Sequence, residues 1–104
     1  MEKKVEIFWT EKAKSDLRNI YNFLLSEIEE EKAFSIIQTI SFRSSQLSLF
    51  PESGSLEPYL LHLKLPYRRL IEGNYKIIYR VTNEYIYINR VFDSRQNPKK
   101  LKVK

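Results

Sequence analysis

The segment from Arg68 to Pro98, RRLIEGNYKIIYRVTNEYIYINRVFDSRQNP, constrains the fold more than any other part of the chain. It divides into three runs rich in aromatic and β-branched residues, about 67–72, 75–82 and 85–92, which is the composition of strands. The connections Glu72-Gly73-Asn74 and Thr82-Asn83-Glu84 have the length and residue types of hairpin turns. In the middle run Tyr75, Ile77, Tyr79 and Val81 alternate with Lys76 and Arg80. The expectation is an antiparallel meander with one buried face and one wet face. That wet face would display arginine and lysine beside tyrosine, chemistry suited to a polyanion or an acidic peptide.

Upstream, Lys4 to Trp9 is rich in strand formers and reads as a first strand, with Trp9 in the core. Thr10 then stands where a helix N-cap belongs, and Glu11 puts a negative charge in the first turn. Ala13, Leu17, Ile20, Tyr21, Leu24 and Ile28 follow the three-to-four spacing of an amphipathic helix, with Lys12, Lys14, Asp16 and Arg18 assigned to its polar side. The acidic run Glu29–Glu31 is expected to be a solvated interhelical loop, and a second helical series opens at Ala33 and ends before Pro51. One helix of ~40 residues would be improbable in so small a domain, so an antiparallel helical hairpin is preferred. Residues 55–66, punctuated by Pro58 and Pro66, read as a loop that ends in an edge strand.

At 104 residues the chain fits one domain, 1–104, with a short basic tail from about residue 96. Two glycines leave no room for a Gly-rich phosphate loop. The absence of cysteine removes disulfides, thiolate metal sites and cysteine nucleophiles together. No apolar run approaches the ~18 residues of a membrane span, and the apolar patch near the N-terminus is too brief for a signal peptide. A cytoplasmic protein without metal or cofactor is therefore expected. The lone histidine, His62, reads as a loop residue, and no serine sits in a strained nucleophile turn.

Charge is distributed unevenly. Residues 1–57 hold seven Lys/Arg against ten Asp/Glu, a net of −3, whereas residues 58–104 hold eleven against three, a net of +8. Such asymmetry suggests an acidic partner or a nucleic acid for the C-terminal half. Arg68, Arg69, Lys76, Arg80, Arg90 and Arg95 all fall on or just after the three strands. Basic groups so placed could cradle a phosphate and stabilise charge developing on phosphorus. They could equally protect sheet edges and keep the protein soluble.

The ordered set Trp9-Thr10-x-x-Ala13-x-x-Asp16-Leu17-x-x-Ile20-Tyr21, Ala33, Leu49-Phe50-Pro51-x-x-Gly54, Arg69 with Leu70, Tyr75-Lys76-Ile77-Ile78-Tyr79-Arg80-Val81 and Val91-x-Asp93-x-Arg95-Gln96-Asn97-Pro98 covers nearly the whole chain. It resembles the RelE/ParE superfamily of toxins from bacterial type II toxin–antitoxin pairs. The resemblance implies an α+β fold in which an N-terminal strand and a helical hairpin pack on a twisted antiparallel sheet. It also implies a cognate acidic antitoxin that folds onto the toxin in a hetero-oligomer, with Arg68, Arg80, Arg90, Lys99 and Lys100 as antitoxin or polyanion contacts.

Two activities follow from that resemblance. RelE-like members cleave mRNA on the ribosome, and Arg69, Lys76 and Arg95 match basic positions of that set, making them the catalytic residues if the chain is RelE-like. The LKVK tail lacks the terminal tyrosine or histidine that an acid–base step would want, and Asp93 brings a negative charge close to the would-be phosphate site. The Trp9–Leu17 opening and the Asp93–Pro98 ending look more ParE-like, which implies inhibition of DNA gyrase and no enzymatic activity. A degenerate member that only binds antitoxin is the third alternative.

Overall fold

A computed structural model describes residues 4–103; Lys104 of the basic tail lies outside the described residues. Strand β1 (Glu6–Trp9) leads through Thr10 into helix α1 (Glu11–Glu27). The Thr10 hydroxyl accepts from the Ala13 amide at 3.2 Å and donates to the Ile88 carbonyl at 2.8 Å. One side chain thus caps the helix, a contribution of about 1 kcal/mol, and fixes where α1 leaves the sheet.

Helix α2 spans Glu30–Ser45, so it begins three residues earlier than the apolar spacing suggests. The acidic run is not a loop: Glu29 is the N-cap, and Glu30 and Glu31 form the first turn, where carboxylates meet the positive end of the helix dipole. Ile28 and Glu29, both extended, suffice to separate the two helices without glycine or proline. A short 3₁₀ turn, Gln46–Ser48, continues past α2 and buries Leu47 before Pro51 is reached.

The sheet has the order β1-β5-β4-β3-β2, with β2 at Ser55–Leu56, β3 at Arg68–Glu72, β4 at Tyr75–Val81 and β5 at Tyr85–Asp93. The edge strand β2 therefore opens the 55–66 stretch rather than ending it, and Pro58 then starts a 3₁₀ turn. β1 runs parallel to β5, making the sheet mixed, while the other pairs are antiparallel. Gly73 has the one positive φ among the described residues, +58°, and takes the left-handed position in the two-residue β3–β4 turn.

A register shift in the β4–β5 ladder leaves Asn89 without a partner, because Tyr79 faces Ile88 and Ile78 faces Arg90. Simple alternation would send Ile88 and Val91 to opposite faces. The extra residue restores both to the core beneath the helices. There Ala13 and Ile40 of the helices meet Leu70, Ile77, Tyr79, Ile86, Ile88 and Val91.

The other face of the sheet is not uniformly wet. A second apolar cluster joins Leu60, Tyr67, Ile78, Phe92 and Leu101, with Leu63 and Val103 packed against it. The basic tail folds back through a 3₁₀ turn, Pro98–Lys100, and lays Leu101 over the strands. The reason is compositional: Ile78 and Phe92 are large apolar residues on the side assigned to water, and burying each is worth about 2 kcal/mol.

Candidate functional site

The strand cations hold different positions once their partners are considered. Glu57, in the loop between β2 and β3, is wholly buried. Its carboxylate accepts from Lys76 Nζ at 2.8 Å and from Arg69 Nη1 at 3.0 Å. The Glu57 amide in turn donates to the Tyr67 carbonyl at 2.9 Å, which fixes the loop carrying it. Lys76 also lies over the Tyr59 ring, 5.2 Å from its centroid. Two of the three residues matched to a nuclease set are thus brought together by a carboxylate that neutralises much of their charge.

The third, Arg95, is exposed and grips Asp93 instead, with Nη2 2.8 Å and Nε 3.0 Å from the carboxylate. The Arg95 guanidinium holds the Asp93 carboxyl below its ordinary value, and Asp93 raises the arginine in return. No histidine joins this set, since His62 lies exposed in the loop beside Leu63 and Val103. Among the described residues no group of His, Cys, Asp and Glu could hold a metal ion.

Arg90 has a structural partner as well. Its Nε and Nη2 reach Asp16 of α1 at 2.7 and 3.1 Å, and the same carboxylate accepts from the Val91 amide at 2.9 Å. A further N–H binds the Lys102 carbonyl and ties down the tail. Asp16 therefore does not belong to the solvent side of α1. Arg68 donates to the Gly54 carbonyl at 2.6 Å. Lys99 and Lys100 stand exposed on the tail's 3₁₀ turn.

Arg80 differs from the rest. Its guanidinium lies over the Tyr87 ring at 5.2 Å rather than against a carboxylate; its Nε, like that of Arg69, is out of solvent without a hydrogen-bond partner. Tyr87 packs edge-on to Phe8, with centroids 5.6 Å apart, and lies 5.8 Å from Tyr85. This aromatic group occupies the half of the outer sheet face that the tail and the 57–67 loop leave uncovered.

Sequence reasoning missed Glu57 and Asp16 as partners. Asp16 was detectable, because it lies three residues after Ala13 and four before Ile20, on the buried stripe itself. Glu57 carried no such signal beyond being a lone acid among leucines and prolines.

A family model described as "ParE toxin of type II toxin-antitoxin system, parDE" matches residues 7–98, from within β1 to the start of the tail's 3₁₀ turn. Among solved structures, a chain of the "Chromosomal ParDE TA system from P. aeruginosa" superposes with a TM-score of 0.73 at 27% identity. The match covers 86% of this chain and 96% of that one. No curated protein sequence matches the chain.

Proposed function

The chain belongs to the family of ParE toxins of type II toxin–antitoxin systems, and from that premise we propose that it arrests growth by inhibiting DNA gyrase and is neutralised by an acidic antitoxin. The observation that carries the choice of target is the pairing of Lys76 and Arg69 with the buried Glu57. A phosphate-stabilising cation must offer its charge to the developing phosphorane. Here a buried carboxylate already takes that charge, and Asp93 takes that of Arg95. What remains is a surface for binding rather than a constellation for proton transfer, which favours a stoichiometric inhibitor over a ribosome-dependent nuclease.

The antitoxin reading rests on the family and on charge. An acidic segment that folds on binding meets a C-terminal half of net +8, where Lys99 and Lys100 are exposed and Arg68 lies half-buried beside Gly54. A gyrase inhibitor acts in the cytoplasm, and among the described residues no helix is long and apolar enough to cross a membrane.

Purified protein added to gyrase in a supercoiling assay should block supercoiling or trap cleaved DNA. Folded protein in micromolar excess that leaves supercoiling intact would sink the proposal. Cleavage of mRNA in the ribosomal A site by the same preparation would replace it with the nuclease reading.

A further inference from the structure

We propose that the open half of the outer sheet face, built by Phe8 of β1, Arg80 of β4 and Tyr85 and Tyr87 of β5, is the surface that binds the gyrase target, seating one carboxylate of the target beside an apolar side chain. The inference rests on the gyrase reading and adds to it the residues that make contact.

Three aromatic rings form a continuous platform there. Phe8 lies 5.6 Å from Tyr87 and 6.4 Å from Tyr85, and it is 51% exposed although it stands within the sheet. Arg80 lies over Tyr87, and Tyr85 and Tyr87 stay partly exposed, whereas the neighbouring half of the same face is sealed by Leu60, Leu101 and Val103. Aromatic residues held rigidly by strands present contact area at low entropic cost, and with arginine they dominate binding energetics at interfaces.

Arg80 supplies the charge. Every other cation on the strands hydrogen-bonds an oxygen of the chain: Arg68 to Gly54, Arg69 and Lys76 to Glu57, Arg90 to Asp16. Arg80 is stacked on Tyr87 with its Nε desolvated and unpartnered. A stacked guanidinium is already oriented, so a planar carboxylate can meet its edge without first fixing the side chain. The buried Nε is closed to a partner, so the contact falls to the terminal N–H groups of the fork.

Local charge decides which class of partner fits. Glu6 shares the face of β1 with Phe8, and Glu84 immediately precedes Tyr85. A nucleic acid needs several cations along its backbone, and this patch offers one arginine, with Lys4 at its edge, against two nearby carboxylates. For an acidic antitoxin the exposed Lys99 and Lys100 of the tail offer more charge than this patch. A largely apolar protein surface carrying one carboxylate matches the patch.

The test measures affinity for purified DNA gyrase with immobilised wild-type, Phe8→Ala, Arg80→Ala and Arg80→Lys proteins. The two alanine variants should each weaken binding about tenfold or more, and Arg80→Lys should lose several-fold because it keeps the charge without the planar fork. Affinity of Phe8→Ala, which lies outside the expected antitoxin contacts, for a cognate antitoxin should be unchanged. If Arg80→Ala lowers the melting temperature, Phe8→Ala and Arg80→Lys carry the comparison. Wild-type gyrase affinity in the variants overturns the inference alone, as does an equal loss of antitoxin affinity in Phe8→Ala. Binding of a single-stranded oligonucleotide that both alanine variants abolish overturns it in favour of a base-stacking platform. A wild-type protein without gyrase affinity overturns the functional reading and this surface with it.

Discussion

Glu57 and Lys76 form a 2.8 Å ion pair in which the carboxylate is wholly buried and the lysine side chain nearly so. Arg69 completes the group from β3 at 3.0 Å. Burying charge is costly, and the pair persists because two donors satisfy the acid together. Glu57→Gln keeps the volume and removes the charge, leaving two cations facing a neutral amide. The expected loss is about 3 kcal/mol, read as a lower midpoint in urea unfolding at constant slope. Lys76→Met should cost less, because Arg69 still holds the carboxylate. A Glu57→Gln protein as stable as wild type would show that the pairing does not hold the loop.

Asp16 makes three hydrogen bonds, two to Arg90 and one to the Val91 amide. It joins α1 to β5 across 74 positions of sequence, and Arg90 extends the link to the tail. Asp16→Asn retains one acceptor oxygen but loses the charge-assisted fork. It should destabilise the protein by about 2–3 kcal/mol, and proteolysis should then release the tail beyond Asn97 first. Calorimetry beside limited digestion checks both, and an unaltered cleavage pattern would uncouple the tail from this pair.

Four of the five strands and both helices were legible because each rests on a local signal, whereas the edge strand β2 was expected at the wrong end of residues 55–66. Period-two alternation marks β4, Thr10 with Glu11 marks the start of α1, and Gly73 marks the tight turn. What was not legible depends on contacts distant in sequence. The start of α2 was misplaced because Glu29–Glu31 looks solvated whether it forms a loop or a first helical turn. The outer face was misjudged because alternation in β4 cannot reveal that Leu60 and Leu101, remote from Ile78, will cover it. The strand cations were all visible as charges. Their separation into paired ones and the stacked Arg80 depends on Glu57 and Asp16 arriving from other elements.

Gly54 is required by a close approach rather than by its φ angle. A Cβ at this position would lie 2.3 Å from the Arg69 carbonyl oxygen and 2.7 Å from the Tyr79 hydroxyl. The Gly54 amide also donates to that hydroxyl at 2.9 Å. Gly54→Ala must therefore push β3 and the loop apart, and overpacking of this kind costs about 1–3 kcal/mol. Tyr79→Phe leaves the amide buried without an acceptor and should cost about 1–3 kcal/mol by a different route. Because both changes act on one contact, their double mutant should be less destabilised than the sum. Strict additivity would place the two effects in separate parts of the structure.

Alkaline titration gives an independent readout of the same core. Burial raises Tyr79 above its ordinary value of 10.0, and burial together with the Asp93 carboxylate raises Tyr75. In the unfolded chain both phenols ionise near 10.0, so the unfolded state loses its protons first as pH rises. The stabilisation each phenol contributes is complete below that pH and disappears as pH climbs through the higher value of the folded protein. Stability should accordingly fall from about pH 10 upward, with tyrosinate absorbance from these two rings appearing late. Difference spectra of Tyr75→Phe and Tyr79→Phe against wild type should each remove a late component from the seven tyrosines. Asp93→Asn should bring the Tyr75 component to lower pH and leave that of Tyr79 in place. A Tyr75 component that does not move would remove Asp93 as one of its causes and leave burial alone.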